Sequence, residues 1–145
     1  MRTLLEDVRR EVVDLHDFFT DWFNGTADRD LLERRFLSRL DPAFTLIPPE
    51  GTVLEAADIG SAFQDAFGMN KGFRIQIRDV TIQRDMEAHV LATYTEWQTG
   101  AQQSAFANNA RITTVLMEKG TPFQWLHIQE TWLPEDVRAA GSFDF

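Results

Sequence analysis

Apolar residues recur at spacings of three and four along the first 24 residues, which is the period of an amphipathic helix. The apolar face of this predicted helix carries Leu5, Val8, Val12, Leu15, Phe19 and Trp22. Asn24 and Gly25 tolerate a left-handed turn and therefore predict where it ends. Asp30 and Glu33 have the spacing of a capping box, so a shorter second helix is expected to follow.

A short strand and a third helix complete the predicted first half of the chain. Residues 44–47 are a strand-like run, and the two prolines that follow end it because proline cannot donate to a sheet ladder. Apolar residues then return to helical spacing over 59–67, and Gly68 is expected to close that helix.

The second half of the chain has the period of strands. Apolar and polar residues alternate over 73–82, with a slip at Asp79 that predicts a β-bulge. Three further strands are expected at residues 89–98, 107–118 and 123–133. The breaks between them are short and turn-like, so these strands are predicted to form an antiparallel meander.

The composition narrows the classes of protein that remain. The chain has 145 residues, 43% of them hydrophobic, no cysteine and a formal net charge of -9. We expect one domain over residues 1–134 and a tail over 135–145 that adds a helical turn. The lack of cysteine excludes a disulfide framework and suits a reducing cytoplasm, which is the predicted location. The negative charge argues against nucleic acid and anionic membranes as partners, and no stretch approaches the roughly 20 apolar residues of a membrane span.

Helices followed by a strongly curved antiparallel sheet predict an α+β architecture in which the sheet wraps around the long first helix. One helix cannot fill the concave side of such a sheet. The open end of the resulting cone is therefore the expected pocket for a small molecule.

The order of elements, together with the segments Asp41-Pro42-Ala43-Phe44-Thr45-Leu46-Ile47-Pro48 and Trp125-Leu126-His127-Ile128-Gln129-Glu130-Thr131-Trp132, resembles the NTF2-like superfamily, and in particular its SnoaL-like and DUF4440 members. The resemblance implies a cystatin-like cone that is commonly homodimeric, with a pocket between sheet and helices. It does not select a reaction, because the superfamily includes isomerases, dehydratases, cyclases, epoxide hydrolases, transport factors and oligomerisation domains.

One branch is disfavoured by two residues. The ketosteroid isomerases of this superfamily carry a general-base Asp just past the first strand and a Tyr on the first helix that helps to bind an enolate oxygen. The aligned positions here are Pro48 and Phe19. Neither side chain transfers or donates a proton, so chemistry of that kind is not expected.

The last two predicted strands bring an acid and a base onto one face. If Glu118 pairs with Phe123 across the turn, Arg111 lies opposite Glu130 and Thr113 lies opposite Ile128. Inside the cone, the pair would orient a ligand carboxylate, hydroxyl or carbonyl, with Glu130 moving a proton while Arg111 or Tyr94 stabilises oxyanion charge. At the rim, the same pair would be an ordinary salt bridge that holds two strand ends together.

The other candidate ligand-binding residues are Trp22, Tyr94, Thr113 and Ile128. Tyr94 directs its hydroxyl either into the cavity or to solvent, and Trp22 either lines the cone opening or belongs to the core. His127 is expected on the opposite face to Glu130, with Thr114 and Trp125. With a different register or face, His127 would be a candidate general base, since imidazole titrates near neutral pH. The three histidines lack the spacing of metal ligands, so no metal and no cofactor are predicted.

Two functions remain after these arguments. The first is the binding of a small, mostly apolar metabolite in the cone, which extends to acid–base or hydrolytic turnover if Glu130 is a proton carrier. The alternative is a noncatalytic homodimeric interaction or accessory module that associates through the outer face of the sheet, with Trp125 and His127 at the contact.

Overall fold

A computed structural model describes all 145 residues. The helices are α1 (Leu4–Asn24), α2 (Leu31–Arg35), α3 (Ala56–Ala66) and α4 (Glu135–Ala140), with a 3-10 turn at Leu37–Arg39. The strands are β1 (Leu40–Ile47), β2 (Leu54–Glu55), β3 (Arg74–Asp85), β4 (His89–Thr99), β5 (Asn109–Glu118) and β6 (Gln124–Trp132). Every predicted element is present, and the two-residue β2 is an addition.

The six strands form one curved sheet in the order β2-β1-β6-β5-β4-β3. Strands β3 to β6 are the predicted antiparallel meander. Strand β1 joins the sheet beside β6 and runs parallel to it. The α+β cone is confirmed, and the sheet is mixed through this one parallel pair.

Helix α1 lies in the concave side of the sheet. A capping box between Thr3 and Glu6 begins it, and Gly25 ends it at a φ of 77°. The capping box predicted at Asp30 is wrong, because Asp30 has helical backbone angles and its side chain caps nothing. Gly68 also has a positive φ, of 67°, and a Cβ on Gly25 would lie 3.1 Å from its Cα. The ends of α1 and α3 therefore meet as two glycine backbones.

The core is continuous between this helix and the sheet. It contains Val8, Val12, Leu15, Phe18 and Trp22 from α1, with Val90, Ala92, Tyr94, Val115, Met117 and Trp125 from the strands. Alternate residues of each strand supply these side chains, as a sheet with one covered face requires. No helix is both long and apolar enough to cross a membrane.

The bulges at Asp79 and Leu126 are among the strand irregularities that set which side chains enter the cone. Asp79 has a φ of 58° and interrupts the pairing of β3 with β4, which confirms the predicted slip. The bulge at Leu126 was not predicted: Met117 pairs with Trp125, but Leu116 pairs with His127. The extra residue turns Trp125 to the inner face, where it is 0% exposed, so its predicted place on the outer face is wrong.

The predicted register of β5 and β6 is also wrong. The turn is one residue longer than expected, because Glu118 pairs with Gln124, and the bulge adds one more residue. Arg111 consequently pairs with Trp132 and Thr113 with Glu130. A shift of two residues preserves the face of every side chain beyond the bulge, so Arg111 and Glu130 still lie on one face as diagonal neighbours.

The chain after β6 packs against the outer face of the sheet. Phe143 lies 5.3 Å from the ring of Trp97, measured between ring centroids, and Arg78 donates to the carbonyl oxygen of Ser142 at 2.6 Å. A Cβ on Gly141 would fall 2.1 Å from the Trp97 ring. Only glycine allows the backbone to approach the indole this closely.

Candidate functional site

A cavity of about 230 Å³ lies between α1 and the concave face of the sheet, and we call it the inner cavity. Its apolar wall comprises Leu15, Phe19, Phe36, Phe44, Leu46, Ile59, Phe63, Tyr94, Trp125 and Ile128. Its polar residues are His16, Glu96, Gln98, Arg111 and Glu130. An apolar cavity with a few convergent polar groups is the usual form of a small-molecule site.

Four different elements supply the charged residues. His16 belongs to the buried face of α1, one turn after Val12. Glu96 continues the inward alternation of β4, and Arg111 is its partner on β5. Glu130 comes from β6, where it pairs with Thr113, two residues along β5 from Arg111. The curvature of the sheet brings these side chains together under α1.

His16 and Glu96 form a buried ion pair. The His16 Nε2 lies 3.1 Å from Glu96 Oε1, and His16 Nδ1 donates to the carbonyl oxygen of Val12 at 2.7 Å. Burial by itself would lower the pKa of His16, but the charge of Glu96 and the two hydrogen bonds outweigh it and raise that pKa. Both ring nitrogens therefore donate, and His16 is an imidazolium.

Glu96 is ionised and fully bonded. Its second oxygen accepts a hydrogen bond from Gln98 Nε2 at 2.5 Å. Burial opposes the charge, yet the His16 imidazolium and the Arg111 guanidinium together lower the pKa of Glu96. This carboxylate has no free oxygen to offer a ligand, and it acts as a fixed negative charge.

Arg111 has spare donors. Its Nη2 donates to Asn109 Oδ1 at 2.9 Å, while its contacts with Glu130 Oε1 and Gln98 Oε1 are both long, at 3.4 Å. Its Nε is buried without any hydrogen-bond partner. The guanidinium also stacks over the ring of Trp132 at 4.7 Å, which holds it in place.

Glu130 is the carboxyl group that changes its charge near neutral pH. Burial and the adjacent negative charge of Glu96 raise the pKa of Glu130 to about 7, against the opposing effects of Arg111 and His16. Burial, reinforced by both carboxylates, also raises the pKa of Tyr94 far above its ordinary value, so the phenol stays protonated. The site therefore contains one proton carrier and one permanent hydroxyl donor.

A second, more open cavity of about 310 Å³ adjoins the first, and we call it the outer cavity. Phe23, Asn70 and Phe73 line it together with the segment after β4. Gln98 and Arg111 line both cavities, so this polar pair lies where the two spaces meet.

The structure brings together four of the six residues singled out from the sequence. Arg111, Glu130, Tyr94 and Ile128 all line the inner cavity. Thr113 is 0% exposed between the strand partners Tyr94 and Glu130, and it does not reach the cavity surface. These roles as ligand contacts stay predictions.

Trp22 lies elsewhere in the core. Its indole nitrogen donates to the carbonyl oxygen of Phe63 at 2.7 Å, and its ring packs edge-on against Phe67. It lines neither the inner nor the outer cavity. His127 is likewise outside both cavities, on the outer face, where it shares a hydrogen bond of 2.7 Å with Thr45 Oγ1.

Sequence reasoning missed His16 and Glu96 as a functional pair. Glu96 carried a signal, since it interrupts an inward-facing apolar alternation on β4. His16 carried one too, because it lies between Val12 and Phe19 on the apolar face of α1. Neither signal reveals the partner, because the two residues are far apart in the chain and meet only where α1 crosses β4.

No protein-family model matches the chain, and no curated protein matches its sequence. Solved structures do resemble it. The NTF2-like protein of unknown function PA1314 from Pseudomonas aeruginosa has a TM-score of 0.78 and 26% identity, over 88% of this chain and 99% of that one.

Two more distant structures share the fold. An uncharacterised protein with a cystatin-like fold from Caulobacter vibrioides has a TM-score of 0.63 and 14% identity, over 90% of this chain and 93% of that one. A putative calcium/calmodulin-dependent protein kinase type II association domain from Thiobacillus denitrificans has a TM-score of 0.60 and 14% identity, over 92% and 98%. With its first helix in the concave side of a curved six-stranded sheet, the chain belongs to the NTF2-like superfamily.

Proposed function

We propose that the protein binds a small, mostly apolar molecule in the inner cavity and exchanges a proton with it through Glu130. The observation that carries this proposal is a buried carboxyl group whose pKa lies near 7, beside an arginine and inside an otherwise aromatic and aliphatic cavity. A proton carrier is most effective when its pKa lies close to the working pH. Perturbed carboxyl groups of this kind concentrate at functional sites.

The remaining polar residues have separate tasks in this proposal. Arg111 stabilises negative charge that develops on a ligand oxygen, since its donors are only partly used. Tyr94 supplies a neutral hydroxyl donor. The His16–Glu96 pair stays ionised and sets the charge around Glu130, which makes both of them positioning residues. Assignment to the SnoaL-like or DUF4440 subtype stays part of the proposal.

Native mass spectrometry of protein purified from its own host tests ligand binding. We expect a stoichiometric small molecule that is released on denaturation, is absent from the Arg111→Ala variant and is retained by Glu130→Gln, whose neutral side chain mimics the protonated carboxyl group. Arg84→Ala and Glu118→Gln are the matched controls, because they alter the same residue types at exposed positions. A ligand-free protein, or a ligand retained by all four variants, would contradict the proposal.

Proton exchange needs its own measurement. The released molecule is incubated with fresh protein in deuterated buffer, and deuterium incorporation at carbon is followed by mass spectrometry. We expect incorporation with the wild type and the Glu118→Gln control, and none with Glu130→Gln. Equal incorporation with Glu130→Gln would exclude Glu130 as the carrier while leaving ligand binding intact.

A noncatalytic homodimeric module is the second candidate. Trp125 no longer supports it, since that side chain is buried in the cone. Ile112 favours it instead, because it is 41% exposed in the middle of β5 on the outer face of the sheet. This function needs no ligand, so the native mass spectrum separates it from the first.

A further inference from the structure

The charged side chains at the polar end of the inner cavity determine the charge of the ligand that fits there. Two cations, His16 and Arg111, face two carboxyl groups, Glu96 and Glu130. When Glu130 is ionised these four charges cancel. When Glu130 carries a proton, the cluster has one net positive charge in an environment of low dielectric constant.

The uncancelled charge belongs to Arg111. Glu96 is engaged by His16 and Gln98, so it neutralises the imidazolium. Arg111 retains a buried Nε with no partner, and its nitrogen atoms approach Glu130 and Gln98 only to 3.4 Å. A buried guanidinium with unused donors is costly unless something else accepts from it.

We infer that the ligand of this cavity is a small monocarboxylate with an apolar body, which binds against Arg111 together with one proton held by Glu130. This inference rests on the proposed function and specifies its ligand class. A guanidinium and a protonated carboxyl group both present N–H or O–H donors, which suit the two oxygens of a carboxylate. A phosphate dianion would bring a second negative charge that no residue of the cluster balances.

Glu130 holds the proton because each of its charged neighbours is already engaged. His16 faces it from α1, Glu96 and Tyr94 from β4, and Arg111 from β5. The parts of α3 and β1 that line the cavity contribute only apolar side chains. His16 already holds its proton in two hydrogen bonds, and Glu96 accepts two, so Glu130 is the group that is free to change.

The volume of the inner cavity limits the size of the ligand. An engineered cavity of about 150 Å³ is sufficient for benzene. The inner cavity, at about 230 Å³, therefore accommodates one aromatic ring and a short side chain. Phenylacetate matches this size, and phenylacetamide is a neutral molecule of nearly the same shape.

Isothermal titration calorimetry with these two probes tests the inference on the unaltered protein. Titrations at about pH 8 in buffers of different ionisation enthalpy measure the number of protons taken up. We expect phenylacetate to bind with uptake of close to one proton, and phenylacetamide to bind more weakly with none. The Kd of phenylacetate should weaken about tenfold between about pH 8 and pH 9 and change little below about pH 6.

Variants assign the proton and the charge to residues. In Glu130→Gln, which cannot ionise, the Kd of phenylacetate should become independent of pH. In Arg111→Ala the binding of phenylacetate should be lost, and Arg111→Lys should restore part of it because the charge returns. Glu118→Gln and Arg84→Ala should behave as the wild type does.

Each outcome decides the inference. Proton uptake with phenylacetate, abolished in Glu130→Gln, supports it. Phenylacetate binding without proton uptake overturns it, and so does phenylacetamide binding at least as tightly as phenylacetate. In the latter case the proposed binding function stands and only the ligand class fails. If neither probe binds, the monocarboxylate class is rejected, and the native mass spectrum separately decides whether the cavity holds a ligand.

Discussion

At the scale of single residues, stability depends on four charged side chains that meet inside an apolar cavity. An ion pair in such a place contributes little net stability, yet the loss of one partner is expensive because it strands a buried charge. His16 and Glu96 are in this position, with 6% and 7% of their side chains exposed. Glu130 differs, since it avoids the cost of burial by taking up a proton.

Replacing His16 tests the buried pair. We expect His16→Leu to lower the free energy of unfolding by about 3–5 kcal/mol, because Glu96 is left without its cation. Urea denaturation at neutral pH provides the measurement. His89→Leu is the matched control: His89 lies 3.9 Å from Glu118 with 39% of its side chain exposed, and its loss should cost less than about 1 kcal/mol.

The double variant His16→Leu/Glu96→Leu adds an internal check. It removes both charges, so part of the lost stability should return. Equal destabilisation by the two histidine substitutions would show that the buried pair has no special role.

The pH dependence of stability tests Glu130. Its pKa in the folded protein, about 7, is above the ordinary value of 4.5, so folding favours the protonated form. Stability from this group is fully present below about pH 4.5 and is lost as the pH rises through 7. Glu130→Gln avoids this loss, and its advantage over the wild type should grow by up to about 3 kcal/mol between about pH 4.5 and pH 8.

Urea unfolding of wild type and Glu130→Gln at several pH values measures this difference. Glu118→Gln, at an exposed position of β5, should track the wild type throughout. Parallel curves for wild type and Glu130→Gln would contradict the raised pKa.

At the scale of elements, strand irregularities and the chain ends decide which faces are covered. The bulge at Leu126 rotates Trp125 into the core without disturbing Ile128 or Glu130 further along β6. The segment after α4 covers Trp97 on the outer face of β4. The bulge and the packing of this segment both depend on the local backbone conformation, and the alternation of apolar and polar residues does not predict them.

Gly141→Ala tests the contact of this segment. Its Cβ would lie 2.1 Å from the Trp97 ring, so the segment should detach or shift at a cost of about 1–3 kcal/mol. Urea unfolding followed by tryptophan fluorescence measures the cost, and trypsin cleavage after Arg138 reports detachment. Ser142→Ala is the control, because Arg78 bonds to the backbone oxygen of Ser142 and the substitution leaves it in place. Wild-type stability and cleavage in Gly141→Ala would show that the contact is dispensable.

At the scale of the whole molecule, the sheet separates two surfaces of different composition. The concave face and α1 enclose the charged cluster, and the outer face of β5 and β6 remains uncovered by helices. We propose that a second copy of the chain covers this outer face, since Ile112 is exposed there. Closed symmetric dimers are the commonest assemblies of soluble proteins.

Light scattering coupled to size-exclusion chromatography tests the homodimer. The wild type should elute with twice the mass of one chain, and Ile112→Arg should shift it to the mass of one chain. Val137→Arg is the matched control, because Val137 is similarly exposed, at 43%, but belongs to α4. A wild-type monomer, or a dimer that survives Ile112→Arg, would place no interface at Ile112.

The sequence by itself determined the helices and strands, and which side chains of a strand share a face away from an unpredicted bulge, because helical and strand periods are local properties of the chain. The face shared by Arg111 and Glu130 was predictable for this reason, since parity along a strand survives a shift of two residues. The bulge at Asp79 was visible for the same reason, as a break in local alternation.

Only the tertiary structure decided which residues those faces contact. The position of α1 across the sheet pairs His16 with Glu96 and places Trp22 outside the cavity. The pairing of β1 with β6 likewise joins segments that are far apart in the chain. The bulge at Leu126 is seen only in the pairing of β6 with β5. Contacts between distant segments arise from packing in three dimensions, and local spacing along the chain does not encode them.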